Sequence, residues 1–368
     1  MINIPFLKKL KLPGFSSDFL RGKPESFVGI DIGMYAAKVV QLKYQKEKAI
    51  LETYGELLSR GYLKEGGGIG GGFLRYLDAD IVSLVKDVIR ESNVTAEHAI
   101  ISVPASSCFV TTISLPYSVK DDIDQAVPYE ARKYVPIPIS EAILDWDVIE
   151  TKEGEAIEVL LVAVPRELID KFKRIADQVG IKVQAIEVET LSLVRSLMGD
   201  DPTPTAIINM GHQSTTLAII DKARLRVSHS FGRGSQELTR ALERGLGVSS
   251  ERAEEIKKEI GLSERIEEKG ITSIIDPLVE VLVEEIQRMI AVYNRKSDRK
   301  VQKINLTGGG SNLKGIIDKA STVFGVEVTR GNPFARVATP AFMQPILREI
   351  GPDFSVATGL ALYEIATR

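Results

Sequence analysis

One structural device occurs twice in this chain and limits its fold more than any other feature. An apolar run, Phe27-Val28-Gly29-Ile30-Asp31-Ile32, meets a turn at Gly33-Met34-Tyr35 and leaves it as a second alternating run over residues 37–42. The second half opens the same way: strand 205–209, turn Gly211-His212-Gln213, then strands 214–221 and 224–230. Two strands joined by a tight glycine turn predict a hairpin. The chain is therefore expected to contain two α/β halves built on the same opening, and 368 residues suffice for two or three domains of about 100–200 residues each.

Between the two openings the pattern changes. A strand at 50–57, the glycine run 66–72 read as a surface loop, a helix at 78–91 and a strand at 98–103 complete the first unit. Ile81, Leu84, Val85, Val88 and Ile89 give that helix its apolar face. Strand 109–115, helix 120–134, strands 143–150 and 155–164 and helix 166–179 then read as a compact insert. Strand 183–188 and helix 189–197 return to the first unit, and Asp200-Asp201-Pro202-Thr203-Pro204 links to the second. There, helices are expected at 235–244, 250–260, 271–295 and 311–324, with strands at 303–306 and 326–328 and a final helix at 355–367. The expected division is a flexible leader 1–24, a first domain 25–106 with 181–202, the insert 107–180, a second domain 203–349, and a C-terminal helix 350–368 packing back on the first domain.

Composition removes several functions. Lys and Arg number 47 against 50 Asp and Glu, a net charge of −3 with no basic half, so bulk electrostatics recruits no nucleic acid. Hydrophobic residues at 44% and charged residues at 26% belong to a globular chain. A single cysteine, Cys108, forms no intrachain disulfide, and His98, His212 and His229 lie too far apart for a zinc spacing, which fits a reducing cytoplasmic setting. No run reaches the roughly 18–20 apolar residues that span a bilayer. The leader stretch Phe6-Leu7-Lys8-Lys9-Leu10-Lys11-Leu12 reads either as a poorly ordered lead-in or as a weak surface-docking segment.

The chemistry gathers at three glycine segments. A turn that carries glycine lets an anion approach backbone N–H groups with no side chain in the way. Gly33 offers this on the first turn with Asp31 facing the same spot, although an ordinary β-turn accounts for the same residues. The run Asn209-Met210-Gly211-His212-Gln213-Ser214-Thr215-Thr216 repeats the device and adds hydroxyls. In Asn305-Leu306-Thr307-Gly308-Gly309-Gly310-Ser311-Asn312-Leu313 a triple glycine stands between a strand and an expected helix N-terminus, a geometry that favours an anionic or nucleotide ligand.

In this order the three segments resemble the phosphate 1, phosphate 2 and adenosine motifs of the actin-like ATPase superfamily. The run Ala253-Glu254-Glu255-Ile256-Lys257-Lys258-Glu259-Ile260-Gly261 is similar to its adenosine-side helix. The insert carries Gln125-Ala126-Val127-Pro128-Tyr129-Glu130-Ala131-Arg132-Lys133-Tyr134-Val135-Pro136-Ile137-Pro138-Ile139 and then Leu144-Asp145-Trp146. With Gly331-Asn332-Pro333-Phe334 and the run from Phe354 to Leu362, it resembles the PilM family of type IV pilus assembly. The resemblance implies an α/β actin-like fold: two ribonuclease H-like domains around a nucleotide cleft, with an FtsA/PilM-type inserted 1C subdomain. It implies ATP with Mg²⁺. Asp31 is then expected to hold the metal through water, and Lys38 and the turn Gly33, Met34 and Tyr35 to meet the phosphates. Gly211, His212, Ser214 and Thr215 cradle the other side, Glu254 and Lys257 sit at the ribose, and Gly308, Gly309, Gly310 and Asn312 pack against the adenosine. Glu189 matches the acid near the attacking water, or else is an exposed first-turn acid favoured by the helix dipole.

The same resemblance implies a partner. Family members bind the cytoplasmic N-terminal peptide of a PilN-type bitopic inner-membrane protein, and so are peripheral to the membrane, in type IV pilus assembly or a related type II secretion or competence system. Tyr129, Arg132, Lys133 and Tyr134 are the residues expected to meet that peptide, although Tyr134 and Pro136 also suit the insert's own core. Two departures from the pattern bear on activity: Asn209 stands where related chains carry Asp, and Met34 and Tyr35 stand where they carry small or hydroxyl residues. Asn209 supplies no charge to the metal, so hydrolysis is expected to be slow or absent. The competing expectations are an active ATPase and an FtsA-like filament former. The latter is expected to end in an amphipathic membrane helix after a linker, and the segment up to Arg368 does not read as one.

Overall fold

The computed structural model describes residues 25–46, 48–63, 72–151, 156–199 and 201–363. The expected leader 1–24, all but the last glycine of the 66–72 run, and the end of the final helix at 364–368 lie outside them.

The first sheet grows from the expected hairpin. β1 (Ser26–Ile32) pairs antiparallel with β2 (Ala36–Gln45), placing Asp31 opposite Lys38, and β3 (Lys48–Leu58) pairs antiparallel with β2, placing Glu56 opposite Lys38. β4 (His98–Val103) runs parallel to β1, and β8 (Lys182–Val188) parallel to β4, so the order is β3-β2-β1-β4-β8. The second sheet, from β9 (Thr205–Met210), β10 (Thr215–Asp221), β11 (Arg224–Phe231), β12 (Lys303–Thr307) and β13 (Glu327–Arg330), has the order β11-β10-β9-β12-β13. Strand for strand it repeats the first sheet, antiparallel and parallel pairs included. β1 reads as a near-continuous apolar run because both faces of the sheet are covered there.

A third, antiparallel sheet of β5 (Phe109–Pro116), β6 (Ala142–Thr151) and β7 (Ala156–Pro165) stands apart in the order β5-β7-β6. Its own core of Ile113, Leu115, Ile157, Val159 and Leu161 is closed by Val127 and Ala131 of α2 (Ile123–Ala131). That helix is shorter than expected at both ends. Pro136 and Pro138 deny further N–H donors, and the chain leaves α2 in turns closed by Lys133 N–H to the Glu130 carbonyl and Tyr134 N–H to the Ala131 carbonyl, both at 3.0 Å.

The first sheet is covered by α1 (Asp78–Glu91), α3 (Arg166–Val179), which stops at left-handed Gly180, and α4 (Glu189–Leu197). The second carries α5 (Ser235–Leu246), α6 (Ser250–Ile260), α7 (Lys269–Lys296) and α8 (Ile316–Phe324). After β13 the chain returns to the first core earlier than residue 350. Phe334, Val337 and Leu347 already pack there, the last on α9 (Gln344–Ile350), because these apolar side chains meet the first core and not the second.

α10 (Ser355–Ala361) finishes that core with every residue buried. It sits flush because glycines let backbones meet: a Cβ on Gly359 would run into the Ser192 carbonyl of α4, and one on Gly29 into the Ala357 carbonyl. Arg195 of α4 locks the arrangement. Its guanidinium donates to both Glu187 oxygens at 2.9 and 2.5 Å and to the Gly359 carbonyl at 2.6 Å.

Candidate functional site

The two hairpin turns are built alike. Gly33 N–H donates to the Ala36 carbonyl at 3.1 Å, and Gly211 N–H donates to the Ser214 carbonyl at 2.9 Å. A Cβ on either glycine would stand 2.8 Å from the oxygen that closes its turn. Each turn is braced from behind. The Ser59 hydroxyl donates to the Gly33 carbonyl at 2.8 Å, while Ser235 and Gln236, opening α5, donate N–H to the carbonyls of Gly211 and His212 at 3.0 and 2.9 Å.

Between the turns lies a cavity of about 730 Å³ reached from both halves, within the 300–1,000 Å³ usual for a small-ligand site. Asp31, Gly33, Met34, Tyr35 and Lys38 line it from the first half, with Glu189 at the start of α4. Asn209, Gly211, His212, Ser214, Glu254 and Lys257 line it from the second, and Gly308, Gly309, Gly310 and Asn312 close it. Thr215 does not belong. It is fully buried and its hydroxyl donates to the Arg233 carbonyl at 2.9 Å, because successive side chains of β10 point to opposite faces, and it is Thr216 whose hydroxyl reaches Glu189.

The glycine triplet differs from expectation too. It leads into a 3₁₀ turn at Gly309–Asn312, and α8 starts only at Ile316 behind left-handed Gly315, so no helix N-terminus stands directly behind the glycines. What the triplet does is approach β9 closely. Gly308 has φ +76°, and a Cβ there would collide with the Asn209 side-chain oxygen, while one on Gly310 would lie 2.8 Å from the Met210 Cβ. A Cβ on Gly309 would instead meet a side-chain oxygen of Asp353 at 2.9 Å.

Charge is concentrated here. Burial pushes the Asp31 carboxyl up, against the pull of Lys38 and of the Ser102 hydroxyl, which donates at 2.9 Å. Glu189 is held to about 7, first by burial and then by the charge of Asp31, although the Ala105 N–H and the Thr216 hydroxyl each reach it at 3.2 Å. Glu56 is likewise raised by burial against Lys38. Across the cavity the Lys257 ammonium donates to Glu254 at 2.6 Å and Thr239 at 2.8 Å. Burial raises the Glu254 carboxyl, but Lys257, Thr239 and Lys258 outweigh it and hold it below its ordinary value. His212 falls to about 4 through burial and the nearby Lys257, and so is neutral at pH 7.

Glu56, Lys258, Ser102 and Asp353 escaped the sequence reading. Lys258 directly follows a selected lysine; Glu56 and Asp353 reach the site only through sheet register and the chain's late return. Asp353 accepts a hydrogen bond from the Asn312 amide at 2.7 Å. Contacts also cross the cleft: the Tyr35 ring stands 5.3 Å from the His212 ring, its hydroxyl accepts from Lys258 at 3.0 Å, and Arg60 pairs with Glu251.

A metal ion fits the donors on one observation. Asp31 and Glu189 present two carboxylates to one cavity, each raised by burial and Glu189 further by the charge of Asp31, a cost that a divalent cation relieves. No cluster of three or more metal-ligating side chains exists among the described residues, so such an ion would keep most of its waters. Away from the cleft, Tyr129 and Tyr134 are exposed, Arg132 lies 5.8 Å from the Tyr129 ring centre, and Lys133 pairs with Glu130 at 2.8 Å.

Comparison with known proteins adds to this geometry. The sequence pattern that defines the family described as type IV pilus assembly protein PilM matches residues 29–365. The cell division protein FtsA of Streptococcus pneumoniae serotype 2 (strain D39) is 26% identical over 208 residues, 51% of this chain and 46% of that protein. The chain thus spans about half the length of that relative. Among solved structures, a PilM-PilN type IV pilus biogenesis complex superimposes with a TM-score of 0.79 at 22% identity, over 93% of this chain and 98% of that one. MreB 5 of Spiroplasma citri bound to AMPPNP gives 0.50 at 13% identity over 92% and 96%. The fold is therefore α/β and actin-like, with two repeated sheets around a cleft and an inserted third sheet.

Proposed function

The chain belongs to the type IV pilus assembly PilM family, and from that premise we propose that it is a scaffold that binds ATP with Mg²⁺ in the cleft and a PilN-type N-terminal peptide on the inserted subdomain. The observation that carries the nucleotide reading is the cavity between two mirrored glycine turns, faced by Gly308–Gly310 and lined by Asp31 and Lys38. The superimposable MreB 5 binds a nucleotide analogue, and the superimposable PilM-PilN complex names the class of partner.

Lys38 and the backbones of residues 33–35 and 211–214 would hold the phosphates. Asp31 would hold the metal through water, and Glu254 with Lys257 would meet the ribose. Mg²⁺ would supply neutralisation of phosphate charge. Asn209 brings no carboxylate, which removes roughly a few kcal/mol of metal and phosphate stabilisation and makes turnover slow or absent. Titration calorimetry with ATP·Mg²⁺ beside a phosphate-release assay tests this reading. Lys38→Ala is expected to weaken ATP at least tenfold, and unchanged affinity would move the site elsewhere. Asn209→Asp is expected to raise turnover if no other group is lacking.

One observation favours a second reading, an active ATPase. Glu189 with a pKa of about 7 is poised as a general base for an attacking water. Turnover of roughly 1 per second or faster in the unaltered protein would establish that reading over the scaffold.

For the partner, Tyr129, Arg132, Lys133 and Tyr134 offer exposed aromatic anchors beside cations. Arg132→Glu with Tyr129→Ala is expected to abolish capture of a PilN-type N-terminal peptide and leave ATP binding intact. Retained capture would place the peptide elsewhere. No helix among the described residues is long and apolar enough to cross a membrane, so we infer that membrane contact runs through this partner.

A further inference from the structure

Outside the cleft, a second concavity of about 1080 Å³ is bordered by α5 and α7. Gln236, Arg240 and Arg244 succeed one another at four-residue intervals on α5, so they share one face of that helix, and Arg288 of α7 lines the same hollow. Arg75 and Arg233 bring its arginines to five, against two carboxylates, Glu237 and Glu285. Arg233 occupies both carboxylates, at 2.8 and 3.8 Å. Arg240 and Arg244 are exposed and have no carboxylate partner among the described residues; the Arg244 Nε donates only to the Arg240 carbonyl, at 3.2 Å. Arg288 pairs with Glu284 of its own helix at 3.9 Å, so the uncompensated charge of the groove rests on Arg240 and Arg244. Met289 and Val292 add apolar surface.

We propose that this groove is a second docking surface, and that its occupant is an acidic, extended peptide segment of a partner protein with an apolar residue among its carboxylates. The arginine face from Gln236 to Arg244 is about 12 Å long at 1.5 Å per helical residue, which accommodates about four residues of extended peptide. Guanidinium groups at that spacing take carboxylates in bidentate pairs, while Met289 and Val292 take the apolar side chain. The concave shape does not suit a flat lipid surface. Nor does it suit nucleic acid, since two carboxylates stand on its walls and, of the rings along β11, Phe231 is buried while His229 packs edge-on against it at 4.7 Å. The groove shares His212, Gln213, Gly232, Arg233, Gly234 and Glu237 with the cleft, so it opens directly onto the cleft's lip and its occupant touches that lip.

The test is direct binding to the full chain in the absence of nucleotide, which separates its outcome from that of the nucleotide reading. The probe is a fluorescein-labelled eight-residue peptide of alternating glutamate and leucine, followed by anisotropy. Saturable binding is expected, with affinity falling as salt rises. Arg240→Glu with Arg244→Glu is expected to weaken it at least tenfold at unchanged melting temperature, and the milder Arg240→Gln with Arg244→Gln to weaken it less. Lys300→Glu, an exposed charge reversal elsewhere, is expected to leave it unchanged. Binding that ignores the arginine substitutions overturns the proposal, as does absence of binding. Tighter, Arg240-dependent capture of a single-stranded oligonucleotide or of phosphatidylserine vesicles also overturns it.

Discussion

At the scale of single residues, burial in the cleft suppresses charges that solvent would permit. Glu189 in the folded chain keeps its proton up to about pH 7, whereas in the unfolded chain it loses it near 4.5. Between these values the folded state binds more protons, so stability falls as pH rises through the window. Glu189→Gln is therefore expected to raise the melting temperature more at pH 8 than at pH 5, by up to about 3 kcal/mol in stability. An equal effect at both pH values would show that the carboxyl is not held up. His212 runs the other way. Its folded value of about 4 lies below the ordinary 6.5, so the folded state binds fewer protons and stability falls as pH drops through that interval. NMR titration of its imidazole is expected to show no protonation down to pH 5.5, and a midpoint near 6.5 would contradict the burial. Gly308 is the third such residue. Gly308→Ala imposes φ +76° on a residue with a Cβ that meets Asn209, and a loss of about 1–3 kcal/mol is expected in denaturant unfolding.

At the scale of elements, α10 is held by close backbone approach more than by side-chain mass. Gly359→Ala puts a methyl against the Ser192 carbonyl, and an overpacking loss of about 3 kcal/mol or more is expected by thermal melting. Wild-type stability in that variant would mean that α4 and α10 slide apart freely. The sequence made the hairpins legible because alternation and glycine sit next to each other in the chain. Asp31, Lys38 and Gly211 inherit their positions from that local pattern. Glu56 and Asp353 do not: the first faces Lys38 only through the register of β3 on β2, and the second arrives with the chain's return after β13. Thr215 misleads for a related reason. A turn motif read as one unit ignores the side-to-side alternation that begins once β10 starts. The early end of α2 follows from Pro136 and Pro138, whose effect reaches back over the turns that close the helix, and its late start from the 3₁₀ turn at Tyr117–Val119 that precedes it.

At the scale of the molecule, the two halves touch across the cleft through Tyr35 against His212 and Lys258, and through Arg60 against Glu251. Tyr35→Ala is expected to enlarge the radius of gyration measured by small-angle X-ray scattering, and Tyr35→Phe, which keeps the ring but loses the Lys258 bond, to enlarge it less. Identical scattering curves would mean that these contacts do not hold the halves together.

The burial of α10 between β1 and α4 also sets a timetable. β1 and β2 leave the ribosome before the other described elements, yet the helix that seals their sheet, and the Gly359 carbonyl that Arg195 grips, are made near residue 360. At about 5–20 residues per second the apolar face of the first sheet waits on the order of tens of seconds for its cover. The second sheet and the inserted sheet, each continuous in sequence, can close in the meantime. Nascent chains stalled before Ser355 should therefore present the first sheet to chaperones, and release of the α10 segment is the event that ends that exposure.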